Sequence, residues 1–158
     1  MTDDGGFSRL DRKLEKLQEM ADVIENDAGP EICETMRVYA LDRLDALVYD
    51  SNSNPVTGNL RNSVETAQNV IIREGDAIVT MGIASSADYA LFIEYGTGPL
   101  GDPAIPHTAK EQWVYRGPDQ KFHMAFPQHP RPFMRPALYD NADLFKDIIE
   151  KRIKEVFA

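Results

Sequence analysis

Tyr89-Ala90-Leu91-Phe92-Ile93-Glu94-Tyr95-Gly96-Thr97 is an apolar run that halts at Gly96-Thr97-Gly98-Pro99. Its distant echo, Pro132-Phe133-Met134-Arg135-Pro136-Ala137-Leu138, is a proline-bracketed aromatic entry into a closing helix. The 34 residues between them, 98–131, show little helical or strand periodicity, and connections that long inside a small domain are functional or disordered. The rest of the chain therefore reads as the scaffold that presents this segment.

Immediately around the first stretch, Ser85-Ser86-Ala87-Asp88 offers capping side chains, and Ala87 to Tyr95 is expected to form a short helix, apolar nearly all round. Such a helix is expected to be buried or to lie under the loops. Glu94 is the one charge in its later half and reads as a solvated or ion-paired residue. Further upstream, the β-branched Val70-Ile71-Ile72 and the run Ala77–Ile83 flank Glu74-Gly75-Asp76, which predicts a β-hairpin that needs a helical cover. Thr57-Gly58-Asn59-Leu60-Arg61-Asn62-Ser63 is expected to turn into its first strand, after the polar breaker Asp50-Ser51-Asn52-Ser53-Asn54-Pro55.

Three helical patterns supply that cover. Leu10, Leu14, Leu17, Ala21 and Ile24 form a narrow stripe, expected to dock on its own domain, the alternative being a neighbour, and to end at Asn26-Asp27-Ala28-Gly29-Pro30. A second helix opens at Pro30, with Ile32, Met36, Ala40, Leu44, Leu47 and Val48 on one face. Cys33 borders that face and reads as a small buried hydrophobe. A last helix, from Arg135 or Pro136 to Val156, is expected to bury Leu138, Ala142, Phe145, Ile149, Ile153 and Val156. The fold class that follows is α+β: a small antiparallel β-sheet packed with two to three long helices, and a long proline-rich loop or arm between residues 96 and 132. The expected division is an N-terminal helix or arm over 1–29 and a single α+β domain over 30–158.

Composition narrows the function. The chain of 158 residues is 42% hydrophobic and 27% charged, ordinary globular material. No run approaches the ~20 apolar residues of a membrane helix, and the polar acidic start does not read as a signal peptide. A single cysteine excludes an internal disulfide and fits synthesis in a reducing cytoplasm. The net charge of -9 argues against free nucleic acid as the main partner. Residues 96–139 are the exception, with five basic against three acidic residues, and they are suited to an acidic surface such as another copy of the chain.

Segment 96–132 carries seven of the ten prolines, all three histidines and the tryptophan. Gln112–Tyr115 and Lys121–Phe126 are candidate strands joined through Gly117-Pro118-Asp119, which would make a second hairpin. Trp113, Tyr115, Phe122, Phe126, Arg131, Phe133 and Arg135 are the candidate interface residues, because aromatic residues and arginine are enriched in interface centres. About half of the aromatics are expected to fold back on the domain's own core. Gly96, Gly98 and Gly101 are candidate hinges with backbone angles that other residues avoid.

Phosphate-loop, dinucleotide, nucleophile-elbow and zinc-helix patterns are missing from the sequence. His107, His123 and His129 match no recognised ligand spacing. No catalytic, cofactor-binding or metal-binding residue is therefore assigned. Asp88 and Glu94 form the kind of acidic pair a glycosidase needs, but any acidic protein offers such pairs.

Three blocks, in order, resemble the HK97 gp10-like family of tailed-bacteriophage neck and tail-completion proteins. Thr57–Ser63 resembles its Thr-Gly-x-Leu-x-x-Ser entry, and Tyr89–Thr97 its Tyr-Ala-x-x-Val-Glu-Phe/Tyr-Gly-Thr block. Gln128–Leu138 resembles its Gln-Pro-x-Arg-Pro-Phe-x-x-Pro-Ala-Leu block; the departures are His129 here and Ile93, in place of valine, in the second block. The resemblance implies a non-enzymatic virion or prophage protein of the head–tail junction, assembled in the host bacterial cytoplasm. It implies a homo-oligomeric ring, sixfold to match the tail, contacting head-closure or connector proteins and a tail terminator or tail tube. DNA would pass through without sequence-specific binding, and no membrane is involved. The alternatives are a small phage-associated peptidoglycan hydrolase using Glu94, and a monomeric adaptor for a host protein.

Overall fold

Ile32, Met36, Ala40 and Leu44 recur every four residues, and Cys33 and Leu41 widen the stripe they form. All six are buried, so this helix touches neighbours over much of its circumference and becomes the spine of the fold. The computed structural model describes residues 4–49, 58–73, 76–117 and 119–157. In chain order these are α1 (Asp4–Val23), a π-helical turn (Ile24–Ala28), α2 (Gly29–Leu44) and a second π-helical turn (Asp45–Tyr49). There follow α3 (Asn59–Asn62), β1 (Val64–Arg73), β2 (Asp76–Ser85), α4 (Ala90–Tyr95) and a 3-10 turn (Gly98–Leu100). Then come β3 (Trp113–Arg116), β4 (Phe122–Ala125), α5 (Met134–Tyr139) and α6 (Ala142–Phe157).

The fold is α+β, as the periodicities predict. β1 and β2 form one antiparallel ribbon, in register from Val64 opposite Ser85 to Arg73 opposite Asp76. β3 and β4 form a separate antiparallel ribbon inside the arm. Of the turn expected at 74–76, Asp76 opens β2, and residues 74–75, like the breaker 50–55, lie outside the described residues.

α2 contacts β1, β2, α5 and α6, and two apolar clusters lie along it. One joins Ala40, Leu41, Leu44 and Val48 to Leu60, Val64, Ala90, Phe133 and Ala137. The other joins Ala28, Ile32 and Met36 to Phe145 of α6. Phe133 and Leu44 are fully enclosed, each contributing about 1.5–3 kcal/mol by leaving water. Cys33 is buried, with its thiol 3.6 Å from the carbonyl of Ala67.

Several expectations are corrected. The helix expected to stop at Asn26–Pro30 continues, so the boundary expected at residue 30 falls inside one helical rod from Asp4 to Tyr49. Pro30 is tolerated because the backbone changes register beside it: the Gly29 N–H bonds to Ile24 O, five residues back. That leaves Glu25 O without a backbone donor, because the next N–H in the widened turn belongs to a proline. The side-chain amide of Gln68 on β1 donates to that carbonyl instead. The second π turn has a visible effect on the stripe, since Val48 stays buried while Leu47 turns outward.

At the other ends, Leu14 and Leu17 of α1 are exposed rather than packed on their own domain. The expected closing helix is divided at Asp140–Asn141, where the Asn141 side chain donates to Ala137 O at 3.1 Å. Phe145 is buried as expected, but Leu138 and Val156 are exposed. Of the entry block, Leu60 is buried, and the Ser63 hydroxyl reaches both Leu60 O and the Ser85 hydroxyl at 2.7 Å.

If Gln68 replaces the donor that Pro30 lacks, Gln68→Ala is expected to cost about 1 kcal/mol of stability. In a Pro30→Ala background the helix recovers a backbone donor, and the same change is expected to cost much less. Urea midpoints of the four proteins test this coupling; equal losses in both backgrounds would remove it.

Candidate interaction surface

The Tyr89–Thr97 stretch folds as the inverse of a soluble helix. α4 buries Ala90 and its one carboxylate, Glu94, which is 2% exposed, while Leu91 is 65% and Phe92 58% exposed. The burial expected nearly all round is therefore not observed. The reason is what Glu94 binds: its Oε2 accepts the backbone N–H groups of Phe133 and Met134 at 2.7 and 2.9 Å. Its Oε1 accepts the Arg135 backbone N–H at 3.0 Å and the Arg135 Nε at 3.1 Å. The first turn of a helix leaves such donors unpaired, and a carboxylate complements its dipole. Facing α4 toward α5 therefore turns the apolar residues of α4 outward.

Arg135 extends the contact into the arm. Its other guanidinium nitrogen lies 2.9 Å from Asp102 Oδ2, and its plane sits 4.3 Å from the centre of the Tyr95 ring. Burial works against the Arg135 charge, but hydrogen bonds to Asp102 and Glu94 outweigh it and raise its pKa above the ordinary value. The Ala104 backbone N–H, and then Arg135, hold the Asp102 carboxyl below the usual aspartate range.

The base of the arm is closed by a backbone pair between Thr97 and Gln128, at 2.9 and 3.1 Å. Gly96 must be glycine: its φ is +70°, and a Cβ there would strike the Gln128 carbonyl and lie 2.7 Å from Pro130 N. Gly98 also has positive φ, at +62°, but Gly101 adopts φ -66°, which any residue can take. Two of the three expected hinges thus have the special geometry.

The arm and α4 enclose a groove of ≈ 970 Å³, walled by Leu91, Phe92, Ile105, Trp113, Tyr115 and Phe126. Of the expected interface residues, Tyr115, Phe122 and Phe126 are exposed, and Trp113 is half-buried. Arg131 is exposed, and its backbone N–H bonds to Ile93 O at 2.8 Å. Phe133 is 0% exposed and belongs to the core, so it offers no surface to a partner. Arg135 is committed to Glu94 and Asp102. Leu91, Phe92 and Ile105 join the surface unexpectedly; the available signal was that a six-residue helix cannot bury every side at once.

His123 lies 2.8 Å from Asp119 and stacks on Tyr115, which makes the hairpin tip a small structured unit. The hydrogen bond from His123, and then the Lys121 backbone N–H, lower the Asp119 pKa. His107 contacts the Ile105 carbonyl. No group of three metal-binding side chains is found among the described residues. No protein-family model, curated protein or solved structure matches the chain.

Removing Glu94 leaves a partly buried arginine and three backbone donors without their acceptor, and Glu94→Ala is expected to cost about 3 kcal/mol. Glu94→Gln keeps one acceptor and should cost less; chemical denaturation measures both. Asp102 binds a proton less tightly folded than unfolded, so its contribution is full above the ordinary aspartate pKa and fades as pH falls through the lowered folded value. Asp102→Asn should therefore lower stability at neutral pH and flatten the acid limb of a midpoint-versus-pH curve. An unchanged acid limb would show that Asp102 does not contribute to it.

Proposed function

We propose that this chain is a structural protein of a tailed-phage virion or prophage, acting at the head–tail junction in tail completion and head–tail joining. It does so by assembling with copies of itself into a ring, sixfold to match the tail. Its partners would be head-closure or connector proteins and a tail terminator or tail tube, and DNA would pass through the ring without base-specific contact. The support is the position of the three blocks that carry the family resemblance. Leu60 and Ser63 of the first secure the entry to β1. Glu94, Gly96 and Thr97 of the second engage Gln128, Phe133 and Arg135 of the third. Residues far apart in sequence thus meet around one buried carboxylate, so the likeness rests on residues that hold this fold.

The surface agrees with a role in assembly. Patches of exposed apolar side chains on a soluble chain mark contact sites, and the arm concentrates Tyr115, Phe122 and Phe126 with Leu91 and Phe92. A hydrolase using Glu94 has little support, because four N–H donors occupy that carboxylate and it has almost no exposure.

Deletion of the gene from the parent phage, followed by negative-stain electron microscopy of the lysate, tests the role. Filled heads beside separate tails are the expected result. Intact virions in normal numbers would remove the head–tail assignment and leave only a fold.

A further inference from the structure

The first half of α1 stands clear of the body. Every described side chain from Ser8 to Glu19 is exposed, and the helix reaches the core only near its end, where Ala21 and Val23 are buried. About 18 Å of helix thus projects into solvent, although helices of that length are marginal alone in water. Leu14 and Leu17, 47% and 55% exposed, lie on the stripe that runs from Leu10 to Ile24 at spacings of four, three, four and three. So narrow an apolar stripe is the seam of a coiled coil rather than the broad face of a core helix. We infer that α1 pairs in parallel with α1 of neighbouring copies of this chain, stripe against stripe. This rests on the ring reading above, which brings the copies side by side, and it names a contact that holds them.

The charges on either side of the stripe decide both the partner and its direction. At the α-helical winding, Arg9, Lys13 and Lys16 line one flank, and Asp11, Glu15 and Asp22 line the other. Arg12 and Glu19 fall on the face opposite the stripe, where the Arg12 guanidinium bonds to Ser8. All six flank residues are exposed, and none forms an ion pair among the described residues. Like charges adjoin along each flank: Arg9 and Lys13, Lys13 and Lys16, and Asp11 and Glu15 stand three or four residues apart. At that spacing equal charges destabilise an isolated helix. A partner of uniform charge would satisfy one flank and oppose the other. A second α1 satisfies both, in one orientation only. Parallel helices set the basic flank of one against the acidic flank of the next, whereas antiparallel helices set like flanks together. The contact joins two different flanks around an axis along the helices, so it is head-to-tail, and repetition closes a ring when the rotation permits.

Analytical ultracentrifugation of the full chain tests the pairing with three variants. Leu14→Asp/Leu17→Asp breaks the stripe, Arg9→Glu/Lys13→Glu/Lys16→Glu makes both flanks acidic, and Asp11→Lys/Glu15→Lys/Asp22→Lys makes both basic. All these positions are exposed, and circular dichroism checks that each variant is folded. The wild type should assemble as concentration rises, and each variant alone should need about tenfold more protein or greater. Mixing the two flank variants restores opposite charges across every seam and should return assembly. Direction is read by copper–phenanthroline oxidation of Leu14→Cys and Leu17→Cys, since the native Cys33 is buried. Parallel pairing sets each position beside its own counterpart, so each protein alone should give a covalent dimer. Cross-linking only in a mixture of the two would show antiparallel helices and overturn the inference, as would flank variants that a mixture fails to rescue. A wild type that assembles while every variant assembles equally well would also overturn it and leave the ring standing on another contact. A wild type that stays monomeric removes the pairing and the self-assembled ring together, while the head–tail role is decided separately by the deletion lysate.

Discussion

The structure depends on a carboxylate placed where the sequence shows an apolar helix. Taking Glu94 out of water costs several kcal/mol, which only close hydrogen-bond partners offset, and the first turn of α5 supplies three consecutive backbone donors. The interaction works in both directions. α5 begins where Glu94 can reach it, which places Phe133 in the core beside Leu44 and Ala90. α4 presents one face to α5, which decides what its other faces show to solvent. Arg135 then carries the constraint into the arm through Asp102.

Much of the architecture was legible in residue patterns. α2 declared itself through Ile32, Met36, Ala40 and Leu44, and both ribbons through β-branched or aromatic runs around turn residues. What stayed hidden depended on partners distant in sequence. Pro30 signals a helix boundary, and nothing local says that Gln68, far along the chain, will serve the carbonyl the proline strands. Likewise, Glu94 alone among apolar neighbours reads as solvated or ion-paired, and the identity of its partners stays hidden because they lie 39 to 41 residues away. The prolines and arginines around Phe133 point to an interface, but burial is a property of the packed cluster, and Phe133 lies in it. The exposure of Tyr115, Phe122 and Phe126 is legible, since a four-residue strand pair has too little surface of its own to enclose them.

This arrangement separates what specifies the fold from what faces outward. The residues that hold the arm and the two helices together are small, polar or buried: Ser63, Glu94, Gly96, Phe133 and Ala137. The large exposed side chains, Leu91, Phe92, Phe122 and Phe126, sit on positions the fold does not use. Contact chemistry can therefore change at those positions with little effect on stability.

The backbone pair between Thr97 and Gln128 extends that separation from side chains to chain length. It closes an excursion of 30 residues, 98–127, onto a stem already fixed by Gly96 and Arg131. Closing a flexible loop costs only about 0.6 kcal/mol more for each doubling of its length. An arm joined to its body through so narrow a stem can lengthen or shorten in evolution, and so match neighbours of different size, while the body beneath keeps a single shape.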